Sequence, residues 1–257
     1  MSRIYLGAVE CASQTFDLEG KETGRLSAEE IGRARAIRFP AARRRFIAGR
    51  WLARTMLSRI MDLPAASIAI SLASSGRPSL AAGASWDFNI SHSGDIAVCA
   101  VADVPIGVDV ERITEKRSML SVARQCFRSE EVQDVSDRLA ADGPTGAAER
   151  FTAYWALKEA HMKRLGQGVW NMKDAPPFPL GESPEVPGAD AVAWYCLGIF
   201  SHGAPPLPYV LAVSAGESTA AEDPTRAELH LELLLARDPR PRLLFHSPNA
   251  GPPRGTG

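Results

Sequence analysis

Apolar residues fall at helical spacing through the stretch WALKEAHMKRLGQGV and the residues just before it. The members of this apolar stripe are Phe151, Tyr154, Trp155, Met162 and Leu165. Their period predicts an amphipathic helix that ends at Gly166. Glu159 lies at the edge of the stripe, one turn after Trp155, and Lys163 lies one turn further on. This pattern indicates either a simple ion pair or two groups that face a ligand.

A second helical pattern begins where Ser27 and Glu30 form a capping box. Its apolar members are Phe46, Ile47, Trp51, Leu52, Met56, Leu57 and Ile60. Its arginines are Arg33, Arg35, Arg38, Arg43, Arg44, Arg45, Arg50 and Arg54. We expect one long helix with a buried side and an arginine-rich side, on which most arginines are solvated or lie along the surface.

Alternation of apolar and polar residues predicts strands elsewhere. The predicted strands are 1–9, 96–102, 106–112, 191–200 and 209–214. Strands 96–102 and 106–112 are interpreted as a hairpin joined near Val104 and Pro105. Helices are predicted over 118–127, over 129–141 before a break at DGPTG, and over 227–235, after which the chain is expected to be disordered.

The order of these elements predicts an α+β fold of two α/β halves with antiparallel sheets, not a parallel βαβ array. The expected boundaries are 1–104 for the N-terminal half and 105–216 for the C-terminal half. Residues 217–257 are expected to form a tail that is partly disordered.

Composition narrows the function classes. The chain has 257 residues, 45% hydrophobic and 23% charged, and its net charge of −1 gives no field that attracts nucleic acid or a membrane. No apolar run is long enough to span a bilayer, and the first residues lack the apolar core of a signal peptide. The four cysteines, Cys11, Cys99, Cys126 and Cys196, have no short paired spacing. Free thiols in a reducing cytoplasm are therefore expected, without a zinc or redox motif.

Candidate chemistry begins with IGVDVERI. Asp109 and Glu111 share one face of the predicted strand, roughly 7 Å apart. Two carboxylates at this spacing can bind one divalent cation and leave positions for water and phosphate, as magnesium sites do. The alternative is the solvated face of an edge strand. Glu159 likewise is either the partner of Lys163 or a third carboxylate at the same ion.

The segment FNISHSGD offers hydrogen-bonding groups at a predicted turn. Asn89, Ser91 and His92 can hold a phosphate there, together with the backbone near Gly94. Ordinary turn chemistry is the alternative.

These segments carry a family resemblance. FNISHSGD, IGVDVERI and WALKEAHMKRLGQG resemble, in order and spacing, the motifs of the Sfp-type 4′-phosphopantetheinyl transferases. The arginine-rich segment and the SSGRPSL turn are similar to that family as well, so that the resemblance covers Leu26 to Ser214. It implies the fold of that family, with two pseudo-symmetric halves, and transfer of phosphopantetheine from coenzyme A to a serine of an acyl or peptidyl carrier protein. Adenosine 3′,5′-bisphosphate is the implied second product.

The resemblance also implies roles for individual residues. Three carboxylates match the family's Mg²⁺ ligands, namely Asp109, Glu111 and Glu159, and Lys163 matches a lysine that faces the phosphates. Five residues match the coenzyme A contacts, namely Arg35, Arg77, Asn89, Ser91 and His92. Glu131 in FRSEE matches the expected base, with Glu130 as the alternative.

A chain of this length that holds both motif sets resembles the long, monomeric type of the family. The expected partners are coenzyme A and an apo carrier protein. A homologue that binds coenzyme A or a carrier without turnover is the competing hypothesis. A nucleic-acid-binding module is disfavoured by the neutral net charge.

Overall fold

A computed structural model describes residues 2–12, 14–73, 76–167, 169–178, 180, 193–200, 208–216, 227–233, 242–246 and 254–255. The helices are α1 (Ala28–Ala36), α2 (Pro40–Met61), α3 (Met119–Cys126) and α4 (Ser129–Arg164). The first strands are β1 (Ser2–Glu10), β2 (Ser71–Leu72), β3 (Pro78–Ser79), β4 (Asp87–Ser93), β5 (Ile96–Ala102) and β6 (Ile106–Arg112). The later strands are β7 (Ala193–Phe200), β8 (Pro208–Ala215), β9 (Ala227–Leu233), β10 (Arg242–His246) and β11 (Arg254–Gly255).

Two sheets form the centre of the molecule. The first sheet has the order β11-β9-β1-β5-β4, and the second has the order β10-β7-β8-β6. All pairings in the second sheet are antiparallel, whereas β9 runs parallel to β1 and β11 in the first. This mixture of helices with largely antiparallel sheets confirms the predicted α+β class.

Buried apolar residues form three core clusters, one between the two sheets and one on the outer face of each. One core cluster joins alternate residues of β5, such as Val98, to Val108 of β6 and Leu211 of β8, so it lies between the two sheets. The intervening residues of β5, such as Cys99, pack with α2. A third cluster packs α3 and α4 against the second sheet. Helices therefore cover the outer face of each sheet, and the sheets share an inner core.

The long arginine-rich helix is in fact two helices. Helix α1 ends at Ala36, and α2 begins at Pro40, with Phe39 as its N-cap residue. Proline disfavours helical backbone at the residue before it and lacks an N–H to donate, so it begins a helix well but does not continue one. The prediction of one continuous helix was therefore wrong at residues 37–39.

Two of these arginines are buried, whereas most of them were expected to be solvated or to lie along the surface. Arg54 is 1% exposed, and its Nε donates to Glu30 Oε2 over 2.6 Å. Arg50 is 6% exposed, with its Nη1 3.7 Å from Glu30 Oε1. Glu30 also completes the predicted capping box with Ser27. One buried carboxylate thus neutralises two buried guanidinium groups and begins α1.

The predicted hairpin of strands 96–102 and 106–112 has correct strand bounds but the wrong pairing. Strand β5 pairs with β1 and β4, and β6 pairs with β8 in the other sheet. Alternation predicts that a segment is extended. It does not indicate whether that segment pairs with the next strand or with one that lies about a hundred residues further on. The chain crosses from one sheet to the other between Ala102 and Ile106.

Helix α4 contains the break that DGPTG predicted. Gly143 has a φ of 72° inside the helix and is followed by Pro144, which separates an N-terminal segment from the segment that carries Glu159 and Lys163. The apolar stripe is largely buried or half-buried, except that Leu165 is 45% exposed. Helix α3 and strands β7 and β8 match their predictions within two residues.

The helix predicted over 227–235 is wrong. Residues 227–233 form β9, with Leu229 opposite Ile4 and Leu231 opposite Leu6 of β1. The sequence AELHLEL alternates with period two, which suits a strand that joins a sheet edge. Strand β10 pairs with β7, and β11 pairs with β9. The rest of the tail that was expected to be disordered lies outside the described residues.

Within the described ranges, no helix has both the length and the apolar composition needed to cross a membrane.

Candidate active site

Helix α4 lies close against β6 at Gly107. A Cβ atom at this position would overlap the carbonyl oxygen of Ala160 and lie 2.6 Å from the backbone nitrogen of Arg164. The missing side chain therefore allows the last turns of α4 to approach the strand. This contact brings Glu159 and Lys163 to the face of β6 that carries the next alternate residue, Asp109.

Asp109 is the centre of the site. Its side chain is 2% exposed, and its Oδ1 accepts from Lys163 Nζ over 2.5 Å and from Ser91 Oγ over 2.7 Å. Lys163 also donates to Ser91 Oγ over 3.0 Å. The carboxylate of β6, the ammonium of α4 and the hydroxyl of β4 thus meet at one point, although the three elements are far apart in the sequence.

Glu159 and Glu111 extend this group. Lys163 Nζ lies 3.4 Å from Glu159 Oε2, which is the i, i+4 ion pair that the sequence offered as one of two alternatives. Glu111 Oε2 accepts from Ser93 Oγ over 2.9 Å. We call Asp109, Glu111, Glu159 and Lys163 the acidic cluster.

The charges in the acidic cluster influence one another. Burial raises the pKa of Asp109 to about 7, with a further increase from the negative charge of Glu159, while Lys163 and Ser91 oppose it. Burial and Glu159 also raise the pKa of Glu111. Burial opposes the charge of Lys163, but Asp109 and Glu159 outweigh it and raise the pKa of this lysine. The site therefore crowds carboxylates around a single ammonium, which favours additional positive charge.

The first six residues of FNISHSGD lie on a strand, not in the predicted turn. All three predicted phosphate contacts belong to β4, and the turn follows at Gly94 and Asp95. Asn89 is 4% exposed and accepts the Val108 N–H over 3.0 Å, so its amide oxygen connects the two sheets. Alternation places His92 on the opposite side of β4 from Asn89.

His92 has a basic environment. Its side chain is exposed at one end of β4, but the protein atoms that enclose the rest of the ring lower its pKa. The positive charges of Arg45 and Lys163 lower that pKa further. Arg45 Nη1 donates to the carbonyl of Gly94 over 3.4 Å. Arg45 was treated in the sequence as one of many surface arginines, and its approach to His92 depends on a contact between α2 and β4 that no local pattern shows.

Arg77 connects β4 with β6 and the end of α4. Its Nη2 lies 2.7 Å from Asp87 Oδ2 and 2.9 Å from the carbonyl of Ile106, and its Nη1 donates to the carbonyl of Lys163 over 3.0 Å. These contacts hold the guanidinium against protein oxygens, and the coenzyme A contact that the resemblance implied for Arg77 stays a prediction. Arg35 is exposed on α1.

Glu131 faces a different set of groups from those of the acidic cluster. Its side chain is 2% exposed, and Oε2 lies 2.9 Å from Lys158 Nζ and accepts the Arg128 N–H over 2.9 Å. Lys158 is itself fully buried and lies over the rings of Phe127 and Phe178. Glu131 therefore caps α4 and neutralises a buried lysine, and the role of base that the resemblance implied for it stays a prediction.

A cavity of about 320 Å³ opens beside Glu111. Its apolar lining consists of Met119, Val122, Phe151 and Trp155. Its polar lining consists of Glu111, Arg112, Thr114, Lys116, Ser118 and Thr152. A cavity lined by both apolar side chains and hydrogen-bonding groups suits a partly polar ligand.

The donors of the acidic cluster suit a hard divalent cation. Asp109 Oδ2 is buried without a hydrogen-bond partner, while Oδ1 already carries two. A buried carboxylate oxygen without a donor is costly unless a cation meets it. Across the residues that the structure describes, no three His, Cys, Asp or Glu side chains already converge on one point as a metal cluster would. The oxygen chemistry therefore fits Mg²⁺, and Lys163 lies against Asp109 in this arrangement.

Comparison with known proteins identifies the family. Residues 105–184 match the family model described as the 4′-phosphopantetheinyl transferase superfamily, and residues 21–104 match the model of a 4′-phosphopantetheinyl transferase N-terminal region. The chain belongs to the 4′-phosphopantetheinyl transferase superfamily. The two matches meet between β5 and β6, where the chain passes from one sheet to the other, and the resemblance inferred from the motifs is confirmed.

Several curated relatives carry the name of this transferase. The chain is 34% identical to 4′-phosphopantetheinyl transferase psf-1 of Bacillus pumilus, over 56% of its own length and 59% of the relative. It is 32% identical to 4′-phosphopantetheinyl transferase HetI of Nostoc sp. PCC 7120, over 58% and 63%. It is 30% identical to 4′-phosphopantetheinyl transferase Sfp of Bacillus subtilis strain 168, over 56% and 62%. The matches span about three fifths of these curated relatives.

Proposed function

We propose that this chain transfers the 4′-phosphopantetheine group of coenzyme A to a serine of an apo acyl or peptidyl carrier protein and releases adenosine 3′,5′-bisphosphate. The acidic cluster is the observation that carries the proposal. It lies where β4 of the first half meets β6 and α4 of the second, and all four of its members match the transferase motifs. The names of the relatives support the same reaction.

The basic groups around the cluster would receive the phosphates of coenzyme A. Lys163 carries a charge that its acidic neighbours stabilise, and its side chain is 29% exposed, so it can reach a bound anion. His92 and Arg45 would meet a second phosphate at the exposed end of β4. Phosphoryl transfer depends mainly on such positioning and charge neutralisation.

Asp109, Glu111 and Glu159 would bind the Mg²⁺ ion. When bound, the ion supplies charge neutralisation for the pyrophosphate and for the leaving group. Asp109 would contribute its unpartnered Oδ2, and Ser91 and Lys163 would keep Oδ1 in place. Ser93 would hold the carboxylate of Glu111 in place through its hydrogen bond to Oε2.

The cavity beside Glu111 would receive the pantetheine arm. The arm is narrow and carries two amides along an aliphatic chain, which suits a cavity lined by apolar side chains and by threonine and serine hydroxyls.

A base must accept the proton of the carrier serine. The role is not assigned to Glu131, because its buried ion pair with Lys158 keeps it from an incoming hydroxyl. Glu130 is exposed beside it, at the start of α4.

A monomeric protein of a reducing cytoplasm is part of the proposal. The cysteines at positions 11, 99, 126 and 196 are all free, which suits a reducing compartment. Motifs from both halves lie in this one chain, so a single copy would hold a complete site.

One assay separates transfer from binding without turnover. The protein is incubated with coenzyme A, Mg²⁺ and a panel of apo carrier proteins, and each carrier is then weighed by mass spectrometry. Transfer adds one phosphopantetheine group, and excess chelator should abolish it until Mg²⁺ or Mn²⁺ is restored. Tight binding of coenzyme A without a mass change in any carrier would favour the non-catalytic homologue. Transfer in excess chelator would contradict the metal requirement.

A further inference from the structure

Strands β4 and β6 are joined by side chains. Each lies at the edge of its own sheet, and alternate residues of β4 reach the backbone of β6. Asp87 accepts the Ile106 N–H over 2.9 Å, as Asn89 does for Val108. Ser93 accepts the Arg112 N–H over 3.2 Å. We call Asp87, Asn89, Ser91 and Ser93 the polar seam. The side chains of Asp87, Asn89 and Ser93 satisfy N–H groups that an edge strand would otherwise leave unpaired, whereas Ser91 bonds the Asp109 side chain of β6.

The two serines of the polar seam also contact the acidic cluster. Ser91 Oγ donates to Asp109 over 2.7 Å, and Ser93 Oγ donates to Glu111 Oε2 over 2.9 Å. The Ser93 hydroxyl has a single proton, and the Arg112 N–H already occupies one of its lone pairs. Its proton is therefore directed toward Glu111. Since the same residue is fixed to the β6 backbone, the carboxylate of Glu111 is fixed relative to that backbone as well.

This fixation matters because Glu111 is only half-buried. Its side chain lies at the wall of the cavity, where water competes for its oxygens, and a glutamate has several rotamers of similar energy there. A hydrogen bond from a residue that does not itself touch the ion restricts such a ligand to one orientation. Lys163 contacts Asp109 and Glu159 directly, whereas Ser93 is the residue seen to bond the Glu111 carboxylate.

We propose that Ser93 is a positioning residue that orients Glu111 toward a divalent cation bound with coenzyme A. This inference rests on the proposed function. It adds to the predicted site a residue that acts by orienting the Glu111 carboxylate and not by contacting the substrate. Neighbouring Ser91 differs, because it contacts Lys163 as well as Asp109.

The test measures Mn²⁺ binding in the presence of coenzyme A, by the EPR signal of free Mn²⁺. The variants are Ser93→Ala, Ser93→Thr, Glu111→Gln and the double variant Ser93→Ala with Glu111→Gln. Ser67→Ala is the matched control, because this exposed serine bonds only the nearby carbonyl of Pro64. Ser93→Ala should weaken Mn²⁺ binding about tenfold. Ser93→Thr, which keeps the hydroxyl, and Ser67→Ala should bind as the wild type does.

The double variant separates positioning from a structural effect. If Ser93 acts through Glu111, replacing it should add no loss in the Glu111→Gln background. Wild-type affinity in Ser93→Ala, or an equal loss in both backgrounds, would overturn the inference. If Ser93→Ala folds poorly in thermal unfolding, Ser93→Cys takes its place, because a thiol of similar size is a weaker donor. Absence of transfer by the wild type itself would overturn the proposed function instead.

Discussion

Asp109 is a buried carboxylate whose charge is balanced within the protein mainly by one lysine. Lys163 and Ser91 meet its Oδ1, and its Oδ2 has no donor. A neutral amide of the same shape would still accept from Ser91, but it would no longer provide an anionic oxygen for a cation. The chemical contribution of Asp109 can therefore be separated from its packing.

Asp109→Asn should lower phosphopantetheine transfer by about 100-fold or more, because the site loses an anionic ligand at its centre. The rate is measured as carrier mass gained over time at saturating coenzyme A. Asp103→Asn is the matched control, because Asp103 forms a surface ion pair with Arg3 that contributes little. Normal turnover by Asp109→Asn would remove Asp109 from the site.

The same residue should influence stability as pH changes. Its pKa is about 7 in the folded protein and near 4 when unfolded, so between these values the folded state binds more protons. The free energy of unfolding of the metal-free wild type, relative to Asp109→Asn, should therefore fall as pH rises from 4 to 7. The slope is at most about 1.4 kcal/mol per pH unit, measured by urea unfolding. A relative stability that rises with pH would contradict the burial of this carboxylate.

Glu131 should prove structural. Glu131→Gln keeps an acceptor for the Arg128 N–H but leaves Lys158 buried without its counter-charge. The free energy of unfolding should fall by about 3–5 kcal/mol, and adding Lys158→Met should recover part of the loss. Transfer per folded molecule should be unchanged. A drop of about 100-fold in that rate without loss of stability would instead make Glu131 the base.

The sequence predicted the candidate site residues better than it predicted which side chains contact them in the fold. Period two placed Asp109 and Glu111 on one face of a strand, and the i, i+4 spacing paired Glu159 with Lys163. Ser93 and Arg45 were missed because their partners come from strands and helices that are distant in the chain. The ion pair of Glu131 with the buried Lys158 could not be predicted either, because it depends on how the start of α4 packs.

At the scale of elements, the approach of α4 to β6 decides whether the site exists. Gly107 is the point of closest contact, and a methyl group there would meet the backbone of Ala160. Backbone atoms cannot rotate away as a flexible side chain can. An alanine at this position would therefore move α4, and with it Glu159 and Lys163, away from Asp109.

Gly107→Ala should destabilise the protein by about 1–3 kcal/mol through overpacking. It should also lower transfer by about 100-fold, because a shift of about 1 Å misplaces reacting groups. Unfolding by urea and carrier mass measure the two effects. Gly32→Ala is the control, since nothing lies within 4 Å of a Cβ there and α1 should gain up to about 1 kcal/mol. Unchanged transfer in Gly107→Ala would show that the contact does not position the site.

Element type was predictable where the pattern was long, and element pairing was not. The break before Pro40 is consistent with the chemistry of proline. It was not predicted, because the arginine-rich pattern continues on both sides of the proline and indicated one long helix. The segment 227–233 alternates like a strand, but its partner β1 lies at the other end of the chain. Strands 96–102 and 106–112 were correct as strands and wrong as a hairpin because sheet partners are chosen by burial across the whole fold.

At the scale of the whole molecule, the candidate site draws its residues from both large sheets. Ser91 and His92 come from the first sheet, whereas Asp109 and Lys163 come from the second sheet and α4. The two family-model matches meet where the chain passes from one sheet to the other. Binding of a ligand across this junction should therefore depend on the polar seam as well as on the residues that would touch the ligand.

The most direct test of the central claim follows both products of one reaction. Wild-type protein is mixed with coenzyme A, Mg²⁺ and an apo carrier protein, beside the same carrier with its acceptor serine replaced by alanine. The account predicts one phosphopantetheine group on the serine carrier for each adenosine 3′,5′-bisphosphate released, and neither product with the alanine carrier. Nucleotide release without a gain in carrier mass, or no reaction with any apo carrier, would contradict it.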